Sequence, residues 1–317
     1  MAGWVQARAP ATVSNLGPGF DCLGLAVDAF YDHVAARRTR GRQVVVVEVT
    51  GDAGLGAEKL PKEADRNTAA VAARALRDAA GLDAGLELRV HKGLPLGSGL
   101  GSSGASAVAG AVAAAAALGI DPPVESIVEA ARKGEAVACG AAHVDNVAPC
   151  ALGGIVLAIP RGPLRLCRLP VPDDLSIVVY TPGCTVETKA ARAVLPAAVD
   201  RDDHVLQAAR LGMMIHALHV GDRALLGASM VDLFAEPARA HLVPGFSAAK
   251  AAAHEAGALA CGLSGAGPTV FAVPMHARHA ESLLAILAEQ FEMAGVPGRG
   301  AVCAIAGGAE IVSRPLH

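Results

Sequence analysis

Residues 95–106, PLGSGLGSSGAS, run directly into the alanine-rich stretch AVAGAVAAAAALG at 107–119. Few segments restrict a fold so strongly, because a glycine-serine run this dense is either a spacer or a loop built for close backbone approach. A spacer would be flanked by domains, whereas this run lies between a strand-like LELRVH (86–91) and an apolar helix expected over 105–118. Residues 99–104, GLGSSG, match the spacing GxGxxG. A dinucleotide fingerprint, however, follows the first strand directly and is followed, after one helix, by a second strand with an acidic residue. Here KGLPL, Gly97 and Ser98 intervene after the strand, and a second helix follows the first. Neither a GxSxG elbow nor a Gly-Lys-Ser/Thr phosphate loop fits. What remains is an anion cradle: glycine N–H groups turned inward, with the positive end of a helix dipole aimed at the same place. Ser102 and Ser103 then either cap the helix or present hydroxyls to a phosphate or to Mg²⁺.

Composition narrows the partners. Of 317 residues 53% are hydrophobic and only 3% aromatic, so the core is built from Ala, Val and Leu, and stacking platforms for single-stranded nucleic acid are scarce. A formal net charge of −3 gives no global field for nucleic acid or an anionic membrane, which leaves a small-molecule partner. The seven cysteines, Cys22, Cys139, Cys150, Cys167, Cys184, Cys261 and Cys303, form no CxxC pair and read as free thiols in a reducing compartment, the cytoplasm. The first twenty residues lack the apolar region of a leader, and 105–120 falls short of the roughly 20 apolar residues of a membrane span.

Strand-like runs at 43–50, 86–91 and 153–160 alternate with helical ones at 66–80, 105–118 and 123–138. IPRGPLRL (159–166) reads as a boundary between a domain over 1–160 and another over 161–317. The second contains a strand LSIVVYTP, helical stretches over about 188–257, a strand PTVFAVP and a final helix near 279–294, an α+β pattern. His216 and His219 have no acidic or cysteine companion in sequence and read as ordinary helix residues.

The central run resembles the PxxxGLGSSxA motif of the GHMP kinases, and two further motifs of that family stand in order: APATVSNLGPGFDCLGLAVD (9–28) and GLSGAGPTVFAV (262–273). The resemblance implies a two-domain fold, with an N-terminal domain like ribosomal protein S5 domain 2, a ferredoxin-like C-terminal domain and ATP between them. SNLGPGFDCLGLA, GEAVACGAAHVDNVAP (134–149) and EPARAHLVPGF (236–246) are similar to the branch that phosphorylates L-homoserine on the way to threonine.

Carried over motif by motif, the resemblance assigns the nucleotide to Asn67 and to Pro95, Leu96, Gly97, Ser98, Gly99, Leu100, Gly101, Ser102, Ser103, Gly104, Ala105 and Ser106. It assigns Mg²⁺ to Ser103 and Glu135, the substrate carboxylate to Arg192 and Arg239, and the amino end to Asn15 and Asp21. Gly262, Ser264, Gly265 and Gly267 form a second tight loop, with Gly265 against the substrate. Asn146 orients the acceptor hydroxyl. An amide accepts no proton at neutral pH, so the implied mechanism is direct transfer without a protein base, and adjacent Asp145 is not taken as one. Asn67 also suits the N-cap of the helix that follows it, and Asp21 suits a turn.

Glu187 and Lys189 depart from the family pattern just before Arg192, which bears on the substrate pocket. Rival readings are a GHMP kinase for mevalonate, shikimate or a sugar, an NAD-dependent oxidoreductase built on GLGSSG, and a non-catalytic nucleotide sensor. A homodimer is compatible with the sequence.

Overall fold

The computed structural model describes residues 3–52, 54–140 and 143–312, without the Cys139 side chain. The expectations for the Cys139 thiol, for Ala141 and Ala142 of the 134–149 motif and for residues 1–2 of the opening segment therefore lie outside the described residues.

Along β1 (Val5–Ser14), Ala7, Ala9, Ala11 and Val13 share one face and are all buried, as a period of two requires. The long β2 (Leu23–Thr39) pairs with β1 along most of its length. Its later half takes β4 (Gly85–Lys92) on the other edge, with β3 (Val44–Gly51) beyond, while its first residues pair with β5 (Ile155–Ala158). β6 (Leu166–Leu169) pairs with β5, and β11 (Glu310–Val312) adds to β1. β3 and β4 run parallel; the other pairings in this sheet are antiparallel. The glycine run follows β4 in a mostly antiparallel sheet, which removes the dinucleotide reading.

Two helices lie on this sheet, α1 (Thr68–Ala79) and α2 (Ser102–Leu118), and α3 (Val124–Cys139) packs on both of them. α2 is buried on nearly every side, so its sequence has no polar face to alternate with an apolar one. Its small residues bring backbones together: a Cβ on Gly110 would lie 2.5 Å from the Ala69 carbonyl oxygen of α1. This contact fixes the axis of α2 and therefore the direction of its N-terminus. α4 (Val144–Leu152) then packs across β1 and β2.

The second sheet has strands β7 (Ser176–Thr181), β8 (Ala258–Leu263), β9 (Val270–Pro274) and β10 (Arg299–Ala304) in the antiparallel order β10-β7-β9-β8. That order is the ferredoxin-like one expected. Alternate side chains serve two cores. Ile177, Val179, Phe271 and Val273 join the core of the first sheet, while Val178, Tyr180, Val270 and Ala272 pack with α9 (Phe246–Glu255) and α10 (Ala280–Met293). Between β7 and β8 the chain also forms α5 (Thr188–Ala193), α6 (Arg201–Val220), α7 (Arg223–Ser229) and α8 (Ala235–Arg239).

The sheets do not divide at 160/161. β6 still belongs to the first sheet, the change falls between β6 and β7, and β11 returns to β1 at the end. The reason is that Pro160–Pro163 form only the turn of the β5–β6 hairpin, so a Pro/Gly signal marks a reversal within one sheet rather than a linker.

Among the described residues no helix is long and apolar enough to cross a membrane, and Cys22, Cys150, Cys167, Cys184, Cys261 and Cys303 are free thiols. His216 and His219 lie on α6, and the described residues contain no group of three or more His, Cys, Asp or Glu able to hold a metal.

Gly110→Ala is expected to lower stability by about 1–3 kcal/mol through overpacking against α1, despite the better helix propensity of alanine. Urea denaturation of the variant and the parent measures it.

Candidate active site

The three sequence motifs meet because main-chain hydrogen bonds join their loops. Thr12 N donates to Leu100 O at 3.0 Å, Thr269 N to Ser98 O at 3.0 Å, and Gly265 N to Ser14 O at 3.2 Å. The Ser264 hydroxyl donates to Gly99 O at 2.6 Å. Within the first loop Asn15, Leu16 and Asp21 all take positive φ, at 73°, 48° and 57°. For a leucine that conformation is strained, and burial of the Leu16 side chain in the core holds it.

The central loop rests on buried charge. The Lys92 ammonium contacts the Asp32 carboxylate and donates to Ser102 O and to the Ser106 hydroxyl, both at 2.9 Å. Ser106 Oγ donates to Asp32 Oδ2 at 2.6 Å, and the N–H groups of Gly93 and Leu94 donate to Oδ1 at 3.1 Å. Burial pushes the Lys92 ammonium below its ordinary pKa, with Asp32 acting against that shift. These bonds set the end of β4 and the first turns of α2 against β2. The N-cap of α2 is Gly101, with φ 68° and no side-chain cap. The capping role considered for Ser102 and Ser103 is therefore not used; both sit inside the first turn. A Cβ on residue 101 would collide with the Thr12 hydroxyl, so glycine is required there sterically as well.

In front of this turn opens a cleft of about 310 Å³. From the central run it is lined by Leu96, Gly97, Ser98, Gly99, Gly101, Ser102, Ser103 and Ser106. Pro95, Leu100, Gly104 and Ala105 do not line it: Leu100 and Ala105 belong to the core, and Gly104 lies against Val147. Asn67 lines an adjoining cavity of about 280 Å³ that shares Leu60, Thr68, Ser106 and Ala138 with the cleft. Its side chain also caps α1, accepting from Ala70 N at 3.2 Å.

Ser103 and Glu135 face each other across the cleft floor, the hydroxyl 3.4 Å from Oε1, and Glu135 Oε2 accepts from His143 N at 3.0 Å. A buried carboxylate beside a hydroxyl is a hard-oxygen donor set that fits Mg²⁺, with phosphate and water completing its shell. Asn146 lies nearby on the first turn of α4. Its Oδ1 accepts from Thr12 Oγ1 at 2.9 Å, and its Nδ2 donates to Ser14 Oγ at 3.3 Å and Asp145 Oδ1 at 3.4 Å. Asp145 lines the cleft although almost wholly buried; burial first, then the charge of Asp21, pushes its carboxyl up to about 7.

At the other end Arg192, Arg239, Asp21, Asn15 and Gly265 come together. Arg192 grips Asp21 with two hydrogen bonds of 3.0 and 3.1 Å, and this pairing raises the guanidinium above its usual range. Arg239 is buried and lowered by that burial; it donates to Ala191 O at 3.0 Å and Gly265 O at 2.9 Å. Both guanidiniums flank the Phe20 ring, at 6.0 and 5.3 Å from its centre. Asn15 donates to Gly265 O at 3.3 Å and accepts from Asp21 N at 3.2 Å. Glu187 and Lys189 are exposed and do not line the cleft, whereas Thr188 and Arg192, one helical turn apart on α5, do.

Sequence reasoning missed Lys92, Asp32, Thr12, His143 and Thr188. Thr12, His143 and Thr188 had a local signal, standing inside or beside motifs already singled out; Lys92 and Asp32 had none.

The chain matches the family models "GHMP kinases N terminal domain" over residues 67–154 and "GHMP kinases C terminal" over residues 214–292. It is 44% identical to homoserine kinase of Arabidopsis thaliana over 85% of this chain and 73% of that one. With homoserine kinase of Thermoplasma acidophilum it shares 36% identity over 98% of each chain. The crystal structure of homoserine kinase from Cytophaga hutchinsonii superposes with a TM-score of 0.93, at 38% identity over 98% of each chain.

Two outcomes are expected from the buried charges. Lys92→Met strands the Asp32 carboxylate and is expected to cost about 3–5 kcal/mol in urea unfolding, with much of the loss recovered in Lys92→Met/Asp32→Asn. Asp145 holds its proton to higher pH in the folded chain than in the unfolded one, where its value is 3.8. Its contribution is complete below that value and is lost as pH rises through about 7. Thermal midpoints of Asp145→Asn should therefore exceed the parent's most clearly at about pH 8, the gap closing towards about pH 4.

Proposed function

This chain belongs to the GHMP kinase family, and we propose that it transfers the γ-phosphoryl group of ATP to the hydroxyl of L-homoserine, giving O-phospho-L-homoserine for threonine synthesis. The observation that carries this reading is a single cleft with a phosphate cradle at one end and matched opposite charges for a zwitterion, Arg192 and Arg239 with Asp21, at the other. The curated homoserine kinases and the solved one, alike over most of the chain, support it.

Phosphoryl transfer asks a protein mainly for positioning and charge stabilisation. The N–H groups at the start of α2 and the glycines before it would receive the phosphates, with the Lys92 ammonium beneath them. The cavity at Asn67 would take the adenine side. Ser103 and Glu135 would hold Mg²⁺, whose charge offsets that of the phosphates when bound. Arg192 and Arg239 would receive the substrate carboxylate and Asp21 and Asn15 its ammonium, with Gly265 shaping the pocket wall.

Asn146 would orient the acceptor hydroxyl. Its Oδ1 has a lone pair beyond the one used by Thr12, which suits it to accept from that hydroxyl. The oxygen of the substrate attacks the γ-phosphorus, the bond to the β-phosphate oxygen breaks, and the hydroxyl proton leaves to the phosphate or solvent. Asp145 is bonded to the amide of Asn146 and serves there as its anchor rather than as the base. The free thiols among the described residues suit a reducing compartment and support a cytoplasmic site of action.

ADP release measured over a panel of L-homoserine, mevalonate, shikimate and galactose tests the reading. Turnover is expected to be highest with L-homoserine, and a higher rate on another alcohol would reassign the substrate. Glu135→Gln is expected to lower kcat at least about 10²-fold, given the weight of electrostatic stabilisation in such sites. A variant as fast as the parent would remove the metal assignment.

A further inference from the structure

Thr12 sits at the junction between the two halves of the reaction without facing either ligand. It is 1% exposed, does not line the cleft, and belongs to β1 just before the loop that carries Asn15 and Asp21. Its main-chain N–H donates to Leu100 O of the nucleotide loop at 3.0 Å. Its hydroxyl donates to Asn146 Oδ1 at 2.9 Å. The Cβ position of Gly101, the N-cap of α2, falls on this hydroxyl and lies 2.9 Å from Asn146 Oδ1. Thr12, the first turn of α2 and the Asn146 amide are thus in direct contact.

An amide offers two lone pairs on oxygen and two protons on nitrogen. At Asn146 the protons point to Ser14 Oγ and Asp145 Oδ1. With the Asp145 carboxylate ionised, a flipped amide would turn Oδ1 towards its oxygen, acceptor against acceptor. Asp145 therefore selects which end of the amide faces Thr12, and the Thr12 hydroxyl then occupies one lone pair of Oδ1. One lone pair is left.

We infer that Thr12 is a positioning residue for the transfer: through one bond to the nucleotide loop and one to Asn146, it fixes the remaining lone pair of that amide relative to the phosphate cradle. The inference rests on the proposed role of Asn146 in orienting the acceptor hydroxyl. In-line transfer depends steeply on alignment, and a misplacement of about 1 Å costs on the order of 10²-fold in rate. Loss of the hydroxyl loosens Asn146 and leaves the main-chain bond to Leu100 in place, so the chemical step suffers and nucleotide binding does not.

The test measures kcat and both KM values for the full chain and for Thr12→Val, Thr12→Ala and Thr12→Ser, with thermal midpoints to confirm folding. Thr12→Val keeps the buried volume, and Thr12→Ala adds no methyl opposite Asn146. Both are expected to lower kcat about 10- to 100-fold with the KM for MgATP within about twofold. Thr12→Ser, which keeps the hydroxyl and loses the methyl, is expected to retain most of kcat. A role in packing alone would give the reverse order, with valine active and serine impaired. Thr12→Val and Thr12→Ala at parental kcat, or Thr12→Ser as slow as they are, would overturn the inference. The reading beneath it fails separately, if the parent turns over no L-homoserine or if Asn146→Ala leaves kcat unchanged.

Discussion

Everything that gathers at the cleft depends on the ion pair of Lys92 and Asp32. Two charges out of water are stabilising only when each proton and lone pair finds a partner, and here the set is complete. Lys92 has Asp32, Ser102 O and Ser106; Asp32 has Lys92, Ser106 and two main-chain N–H groups. A cation beneath a helix N-terminus opposes the helix dipole, so Lys92 is a poor device for stabilising α2 alone. Its value lies in what it adds at the cleft, where its charge and the dipole act in the same direction on an anion. Asp32 makes that concentration of positive charge tolerable in the unliganded fold.

The same logic of local conflict offset elsewhere runs through the first loop. Left-handed Asn15, Leu16 and Asp21 carry backbone strain, and the Leu16 side chain in the core, the Asn15 bond to Gly265 O and the Asp21 pair with Arg192 oppose it. Asp21 belongs to a loop of the first sheet and Arg192 to a helix between β7 and β8, so their bidentate pair joins the two lobes across the cleft. Arg239 and Asn15 repeat that arrangement by sharing the Gly265 carbonyl oxygen.

Three helices of the first lobe were legible because their signals are local, whereas the nine-residue α4, with Pro149 inside it, was not. Alanine and leucine spacing gives α1 and α3, and the glycine-serine run marks the start of α2. The cradle, Glu135, Asn146 and the arginines were legible as motif members. Short strands were not. β6 and β11 have four and three residues, too few for a period of two to declare itself, and their existence depends on the edges of β5 and β1. Lys92 and Asp32 are 60 residues apart on separate strands, and each reads alone as a surface charge. The pairing of Arg192 with Asp21 spans 171 residues and was equally out of reach. Position within a motif told which residues meet; it did not tell which of them bond to one another.

The return of β11 to β1 bears on how the chain acquires its structure. β1 is made first and its outer edge is completed by residues 310–312, so during synthesis that edge waits through almost the whole chain with unpaired N–H and C=O groups. The shared core behaves alike, since Ile177, Phe271 and Cys303 of the later half complete what Ala7 and Val13 begin. A nascent first lobe released from the ribosome is therefore a sheet with an open side and a partly filled interior. Its most dangerous interval for edge-to-edge association ends only when the last strand arrives.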